Sequence, residues 1–81
     1  RIAMQTYRCL IVEDSEPTAL LLKEYLNGLS MFYEITTCAT YAEAVNTLLC
    51  QPYDLIFLDV ELNTDNGLEL LRVIRPLPPV V

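Results

Sequence analysis

Short apolar runs alternate along this chain with stretches in which apolar residues recur every three or four positions. Runs near Tyr7–Val12, Tyr33–Cys38 and Asp54–Asp59 predict three β-strands. The periodic stretches predict helices that follow each strand: one from Pro17 to about Leu29, one after Thr40 that ends at Gln51-Pro52, and one from Gly67 to the proline at position 76. This alternation is typical of parallel βαβ units.

Each predicted helix has an apolar face. For the first helix, the face is formed by Leu22, Tyr25, Leu26 and Leu29. For the second, it is formed by Tyr41, Ala44, Val45, Leu48 and Leu49, and for the third by Leu70, Leu71 and Ile74. Right-handed crossovers place such helices on both faces of the sheet. We therefore predict a doubly wound parallel α/β sheet with strand order 2-1-3, whose fourth strand begins near Pro78–Val81.

The length limits the chain to one small domain, because it has only 81 residues, of which 53% are hydrophobic. A chain of this size cannot enclose so much apolar surface. We therefore expect an incomplete domain. Either residues beyond Val81 or a partner chain, such as a second copy in a homodimer, should cover the edge formed by the third and fourth strands.

Charge and composition exclude several classes of function. The net charge is −6 and the five basic residues form no cluster, so we expect no direct binding of nucleic acid. No apolar stretch is long enough to span a membrane, and no signal-peptide pattern opens the chain, which together predict a soluble cytoplasmic protein. Three cysteines without CxxC spacing indicate reduced thiols, and the absence of histidine removes most acid–base chemistry.

Carboxylates follow two of the apolar runs directly. Glu13 and Asp14 come after the first run, Asp59 ends the third, and Glu61 lies two positions further on. Because ligands of open α/β sheets bind at the carboxyl ends of the strands, these acids should converge on one spot. Such a cluster suits Mg²⁺ and a phosphoryl group, and an aspartate can accept that group covalently.

A single acid after a strand more often caps the next helix than binds a ligand. We assign that role to Glu16, Glu43 and Asp65, and we expect Glu24, Glu34 and Glu69 to be solvated charges. The set of Glu13, Asp14 and Asp59 is different, because like charges at two adjacent strand ends are unfavourable without a cation or proton.

Three motifs together resemble the receiver domain of two-component response regulators. They are Ile11-Val12-Glu13-Asp14-Ser15-Glu16, the stretch from Tyr53 to Leu62, and Asn66-Gly67-Leu68-Glu69-Leu70-Leu71. The resemblance covers the chain from Tyr7 to Val81. It implies the flavodoxin-like order 2-1-3-4-5 for the full domain, so residues 1–81 would be a single receiver domain that is incomplete at its C-terminus.

The resemblance also implies roles for individual residues. Asp59 matches the phosphoacceptor, Asp14 a direct Mg²⁺ ligand, and Glu13 an acid that acts through water. Glu61 matches the position whose backbone carbonyl completes the metal site, and Gly67 the glycine at the start of the third helix. Asn63 stands where many receivers have proline. The family's hydroxyl residue after strand 4 and its lysine after strand 5 have no counterpart in these residues.

The resemblance further implies a function and partners. A histidine kinase or phosphotransfer protein would phosphorylate Asp59 and thereby modulate an output domain outside this chain. Segments such as Leu58-Asp59-Val60-Glu61-Leu62 are most similar to those of receivers attached to LytTR-type DNA-binding domains. This similarity implies transcriptional regulation. Such a module is not a turnover enzyme, although receivers catalyse their own phosphorylation and dephosphorylation.

Two alternatives remain open at the level of sequence. A haloacid-dehalogenase-like phosphohydrolase also uses a strand-end aspartate with Mg²⁺, but its general acid is a second aspartate two residues on, where this chain has Glu61. A degenerate receiver would act only as a protein-binding module, and the presence of Glu13, Asp14 and Asp59 argues against it.

Overall fold

The computed structural model of this protein describes residues 6–59 and 78–81. Along the chain it forms β1 (Tyr7–Val12), α1 (Glu16–Asn27), β2 (Phe32–Cys38), α2 (Tyr41–Cys50) and β3 (Leu55–Leu58). These bounds confirm the three predicted strands and the first two predicted helices to within one or two residues. The predicted third helix and the loop before it lie outside the described residues.

The described strands form one parallel sheet in the order β2-β1-β3. Val80 adds a parallel bridge to Ile56 on the other edge of β3. Two backbone hydrogen bonds form this bridge. The Ile56 N–H donates to the Pro79 carbonyl at 2.9 Å, and the Val81 N–H donates to the Ile56 carbonyl at 2.7 Å. The predicted approach to a fourth strand is thus confirmed, and the fold is a flavodoxin-like α/β sheet with β1 in its interior.

Strand β1 is buried on both of its faces. Cys9 and Ile11 face a cluster that includes Leu26 of α1, whereas Leu10 and Val12 face the cluster formed with α2. The side chains of these four residues of β1 are 0% exposed. Because successive residues of a strand point to opposite faces, burial on both faces requires the continuous apolar run seen in the sequence.

Helix α2 packs through Tyr41, Ala44 and Leu48, which follow the i, i+3, i+7 spacing of one helix face. They join Tyr53 and Ile56 in the core on that side of the sheet. The assignment of Leu49 to this face was wrong, because its side chain is 67% exposed. A residue directly after Leu48 is rotated by about 100° around the helix axis, which turns Leu49 away from the sheet.

Helix α1 packs through Ala19 and Leu26, with Leu22 half-buried between them. The assignment of Tyr25 and Leu29 to the buried face was wrong, since they are 67% and 48% exposed. Ala19 is also buried, at 6% exposed, and it was not part of the predicted face. No helix of the described ranges is both long and apolar enough to cross a membrane.

Both helices begin with a side-chain cap. Ser15 is the N-cap of α1, and its hydroxyl accepts a hydrogen bond from the Thr18 N–H at 3.4 Å. Thr40 caps α2 by accepting from the Glu43 N–H at 3.1 Å. The Glu43 carboxylate in turn accepts from the Ala39 N–H at 2.8 Å, one residue before the N-cap.

A polar network links β1, β2 and the segment after α2. Arg8 Nε donates to Glu34 Oε1 at 2.8 Å, and Gln51 Nε2 donates both to Glu34 Oε2 at 3.0 Å and to the Tyr53 hydroxyl at 2.9 Å. The Tyr53 hydroxyl donates to Thr36 Oγ1 at 2.9 Å. The prediction that Glu34 is an ordinary solvated charge was therefore wrong. Its partners are distant in sequence, so a local pattern could not reveal them.

The turn after α1 contains the one non-glycine residue with positive φ in the described ranges. Ser30 has φ 62°. An L-residue in this left-handed region has a steric cost between its Cβ and the backbone. Gly28 comes two residues earlier and keeps right-handed helical angles, with φ −68°. The φ angle of Gly28 thus does not require glycine, whereas a Cβ at this position would lie 3.3 Å from the Tyr25 carbonyl oxygen.

Replacing Ser30 by glycine should therefore stabilise the domain that contains this chain. We expect the free energy of unfolding to rise by about 0.5–1 kcal/mol, because glycine has no Cβ to strain but loses more backbone entropy on folding. Urea denaturation measures the change. Ser30→Ala is the matched control, since alanine keeps the Cβ. A gain in Ser30→Ala equal to that in Ser30→Gly would contradict the assignment of strain to this position.

The Glu34 network predicts a dependence of stability on pH. Hydrogen bonds from Arg8 and Gln51 lower the pKa of Glu34 below its ordinary value of 4.5. A carboxyl whose pKa is lower in the folded state stabilises the fold above its unfolded pKa, and this contribution is lost as the pH falls through the folded pKa. Wild type should therefore lose stability on acidification below about pH 4.5 more steeply than Glu34→Gln. Parallel acid unfolding curves for the two proteins would contradict this origin.

Candidate functional site: an acidic cluster at the carboxyl ends of β1 and β3

Backbone hydrogen bonds hold the residues after β1 and β3 side by side. The Glu13 N–H donates to the Cys38 carbonyl of β2 at 2.9 Å, and the Asp59 N–H donates to the Val12 carbonyl of β1 at 3.0 Å. Both bonds continue the ladders of the sheet by one residue. The positions of the acids are thus set by strand register, which the buried β1 fixes.

The side chains of Glu13, Asp14 and Asp59 converge at this edge. One carboxylate oxygen from each residue lies within 4.8 Å of the others. Glu13 and Asp59 are half-buried, whereas Asp14 is exposed. The predicted convergence of the acids is confirmed, and it is a direct consequence of β1 and β3 being parallel neighbours.

The environment of Glu13 shows the electrostatic strain of this arrangement. A hydrogen bond from the Ser15 N–H to Glu13 Oε2, at 3.0 Å, acts to lower the pKa of the carboxyl. Partial burial and the neighbouring Asp59 and Asp14 act in the opposite direction, and the net effect raises the pKa of Glu13. Crowded carboxylates of this kind favour a bound proton or a bound cation.

The donor set fits a hard divalent cation. Three carboxylates from two adjacent strand ends offer only oxygen ligands, and no His is present in the chain. Oxygen ligands with an exposed, water-accessible side suit Mg²⁺, which keeps part of its hydration shell when a protein binds it. The residues that would hold the ion are Asp14 and Asp59, with Glu13 beside them. Glu61, whose backbone carbonyl was predicted as a further ligand, lies outside the described residues, as does Gly67.

A cavity of about 280 Å³ adjoins the acidic cluster on the side of β2. Its lining comes from the loop after β1, the start of α1, the end of β2 and the start of α2: Glu13, Asp14, Glu16, Ala19, Thr37, Cys38, Ala39 and Glu43. The sequence predicted only that Glu16 and Glu43 cap the helices that follow β1 and β2. Their location at one cavity follows from the fact that both helices begin at the carboxyl edge of the sheet.

Tyr41 is a neighbour of the cluster that sequence analysis treated only as packing. It is the first residue of α2 and is 5% exposed. Burial, and secondarily the nearby Asp59 carboxylate, raise the pKa of the Tyr41 phenol. The sequence does contain a signal for this placement, because Tyr41 directly follows the Thr40 cap at the same edge of the sheet.

The three cysteines are free thiols, as predicted. Burial raises the pKa of Cys9 to about 11, and burial together with the Glu43 charge does the same for Cys38. These two thiols are therefore protonated at neutral pH and have little nucleophilic character. In the described structure Cys9 is part of the core cluster on the α1 side of the sheet, and Cys38 packs against the cluster on the α2 side.

Comparison with known proteins identifies the family. Residues 9–81 match the model of the response regulator receiver domain. The chain belongs to this family, which consists of signalling modules and not of classical enzymes. The resemblance inferred from the motifs around Asp14 and Asp59 is thereby confirmed.

Individual relatives agree with this placement. The transcriptional regulatory protein LytR of Staphylococcus aureus (strain N315) is 36% identical over 76 residues, which are 91% of this chain and 31% of that protein. The structure of the MaeR response regulator bound to beryllium trifluoride superposes with a TM-score of 0.82 at 28% identity, over 94% of this chain and 65% of that one.

A second solved structure concerns a complex. It is the crystal structure of the P1 domain of CheA3 in complex with CheY6 from R. sphaeroides, with a TM-score of 0.75, 31% identity, and coverage of 91% of this chain and 58% of that one. The chain spans about a third of the length of the curated relative LytR, whose name describes a transcriptional regulator.

The acidic cluster predicts stabilisation by Mg²⁺. A ligand that binds only the folded state raises the unfolding temperature, and the shift grows with its concentration. Wild type should therefore unfold at a higher temperature in Mg²⁺ than in EDTA, while Asp14→Asn should show little of this shift. Thermal unfolding measures both, with Glu24→Gln on α1 as a control for loss of one charge. An equal Mg²⁺-dependent shift in wild type and Asp14→Asn would move the ion to another site.

Proposed function

We propose that this chain is the phosphoacceptor part of a two-component signalling protein. Asp59 accepts a phosphoryl group, in the presence of Mg²⁺, from a histidine kinase or phosphotransfer protein. The phosphorylated domain then modulates an output domain elsewhere in the longer protein. The name of the relative LytR supports transcriptional regulation as the output.

The observation that carries this proposal is the convergence of Glu13, Asp14 and Asp59. Their oxygens lie within 4.8 Å at the carboxyl ends of two adjacent parallel strands, in a chain of the receiver family. Asp59 is half-buried, and its backbone is fixed to Val12, so its carboxylate is presented from a rigid strand end. A rigid nucleophile beside cation ligands is the arrangement that phosphoryl transfer needs.

The transfer step uses the chain's own groups as follows. An oxygen of the Asp59 carboxylate attacks the phosphorus of a phosphohistidine, which forms an O–P bond and breaks the P–N bond. The electron pair of the P–N bond stays on the imidazole nitrogen, which takes up a proton from water. Asp14 and Asp59 would hold a Mg²⁺ ion, with Glu13 beside them, and the bound ion would supply charge stabilisation for the phosphoryl oxygens. The acyl phosphate on Asp59 is the product.

The partner assignment is supported by a neighbouring structure. In the related complex, the P1 domain of CheA3 is bound to CheY6. In the present chain, α1 starts directly at the acidic cluster and exposes Leu20, Leu21 and Tyr25, at 57%, 71% and 67%. A protein that brings a phosphohistidine to Asp59 must pass close to the start of this helix, so α1 is part of the surface that we assign to the donor.

The two alternative functions are less well supported. A dehalogenase-like phosphohydrolase does not fit the family to which residues 9–81 belong. A degenerate receiver that only binds proteins would have no need for the three carboxylates, which the described structure brings together despite their mutual repulsion. No observation favours either alternative over phosphorylation of Asp59.

Phosphorylation of the full-length protein tests the proposal. Incubation with Mg²⁺ and acetyl phosphate should add one phosphoryl group to wild type, as measured by intact mass, because Asp59 is the nucleophile. Asp59→Asn keeps the size of the side chain but removes the carboxylate, and it should gain no phosphoryl group at this site.

Two controls sharpen this experiment. EDTA should abolish the labelling of wild type if the cation is required. Asp54→Asn replaces an exposed aspartate that precedes β3, at the opposite end of the strand from Asp59, and it should be labelled like wild type. Labelling of Asp59→Asn to the same extent as wild type would reject Asp59 as the acceptor.

A further inference from the structure

The cavity beside the acidic cluster contains more negative charge than cation binding requires. Glu16 and Glu43 line it together with Glu13 and Asp14. Asp59 lies within 4.8 Å of Glu13 and Asp14, so five carboxylates lie in this cavity or directly beside it. One divalent cation offsets only two of these charges, so the part of the site formed by residues 6–59 keeps an excess of carboxylates.

The positive charges of the described structure lie elsewhere. Arg8 and Lys23 are the basic residues within ranges 6–59 and 78–81. Arg8 is near the start of β1, at the opposite end of the sheet, and it pairs with Glu34 at 2.8 Å. Lys23 lines a separate groove between α1 and β2, together with Glu24 and Tyr33. Neither basic residue lines the cavity that contains Glu16 and Glu43.

Glu16 and Glu43 are positioned beside this cavity for a structural reason. Each lies in the first turn of its helix, where the positive end of the helix dipole favours a carboxylate. Glu43 is fixed further by its hydrogen bond from the Ala39 N–H. The two carboxylates are therefore fixed parts of the cavity wall beside Glu13 and Asp14.

We propose that Glu16 and Glu43 select the phosphoryl donor by charge. They favour a protein phosphohistidine set among basic side chains over small donors that are dianions. This inference rests on the proposed function, because it concerns the donor for Asp59. Charges at a binding surface act chiefly on the rate of association and on the choice between partners.

Two small donors that differ in charge test the selection. Acetyl phosphate is a dianion at neutral pH, whereas phosphoramidate has about one negative charge fewer. With acetyl phosphate the P–O bond breaks and acetate leaves with the electron pair. With phosphoramidate the P–N bond breaks, and the departing nitrogen takes a proton from water. In both cases a bond forms between phosphorus and an Asp59 oxygen.

The full-length protein is labelled with each donor at saturating Mg²⁺, at low ionic strength and at donor concentrations well below saturation. The measured quantity is the ratio of the two initial rates, acetyl phosphate over phosphoramidate. Two unit charges about 10 Å apart in water interact by an energy that corresponds to roughly a twofold change in rate. Glu16→Gln and Glu43→Gln should each raise the ratio about twofold, and the double variant about fourfold.

The substitutions are matched to isolate charge. Glutamine at position 43 retains an oxygen that can accept the Ala39 N–H, so the helix cap persists. Glu24→Gln removes the same charge from α1 at the groove of Lys23 and should leave the ratio unchanged. High salt should reduce the difference between wild type and the double variant, because it screens exposed charges.

Phosphohistidine peptides test the protein donor. One peptide has lysines beside the phosphohistidine, and the other has glutamates at the same positions. Wild type should accept the phosphoryl group faster from the lysine peptide, and this preference should shrink in the Glu16→Gln, Glu43→Gln double variant.

The outcomes distinguish failure of charge selection from failure of the proposed phosphorylation of Asp59. An unchanged donor ratio and an unchanged peptide preference in the double variant would overturn charge selection, while Asp59 would remain the acceptor. Absence of labelling of wild type by every donor would overturn the proposed function and this inference with it. Asp59→Asn, run beside each sample, assigns the label to Asp59.

Discussion

The complete burial of residues 9–12 of β1, on both faces of the sheet, is the constraint on which the rest of this structure depends. Leu10 and Val12 pack under α2, whereas Cys9 and Ile11 pack under α1, and none of the four is exposed. Each large buried side chain contributes about 1.5–3 kcal/mol. A slip of one residue would move every side chain to the opposite face, so the register of β1 against both neighbours is fixed. Glu13 and Asp59 directly follow β1 and β3, so the same register sets the positions of these acids.

This constraint also explains how the fold tolerates the acidic cluster. Glu13, Asp14 and Asp59 repel one another, and the raised pKa of Glu13 reflects this repulsion together with partial burial, against the opposing Ser15 hydrogen bond. The backbone bonds from Glu13 to Cys38 and from Asp59 to Val12 keep the acids in place regardless. The hydrophobic sheet thus supplies the stability, and the carboxyl edge contains a locally unfavourable arrangement that a bound cation would relieve. Violations of local consistency of this kind are expected at functional sites.

The sequence predicted those features that depend on short patterns. The bounds of β1, the order of the strands and the convergence of Asp14 with Asp59 follow from apolar runs and the acids that end them. Features that depend on tertiary contacts could not be predicted. The buried side of α1 is defined by Ala19 and Leu26, and the partners of Glu34 come from residues 17 and 26 positions away. The same limit applies to the cavity beside the cluster, because it is assembled from four separate elements.

The central claim is that these strand ends form one cation-dependent phosphoryl acceptor. Crystallisation of the full-length protein with Mg²⁺ and beryllium fluoride, the type of ligand bound in the related MaeR structure, tests it most directly. The account predicts electron density for beryllium fluoride on an Asp59 carboxylate oxygen and a cation in contact with Asp14 and Asp59. Beryllium fluoride bound to another residue, or a cation bound at a site that includes neither aspartate, would contradict it.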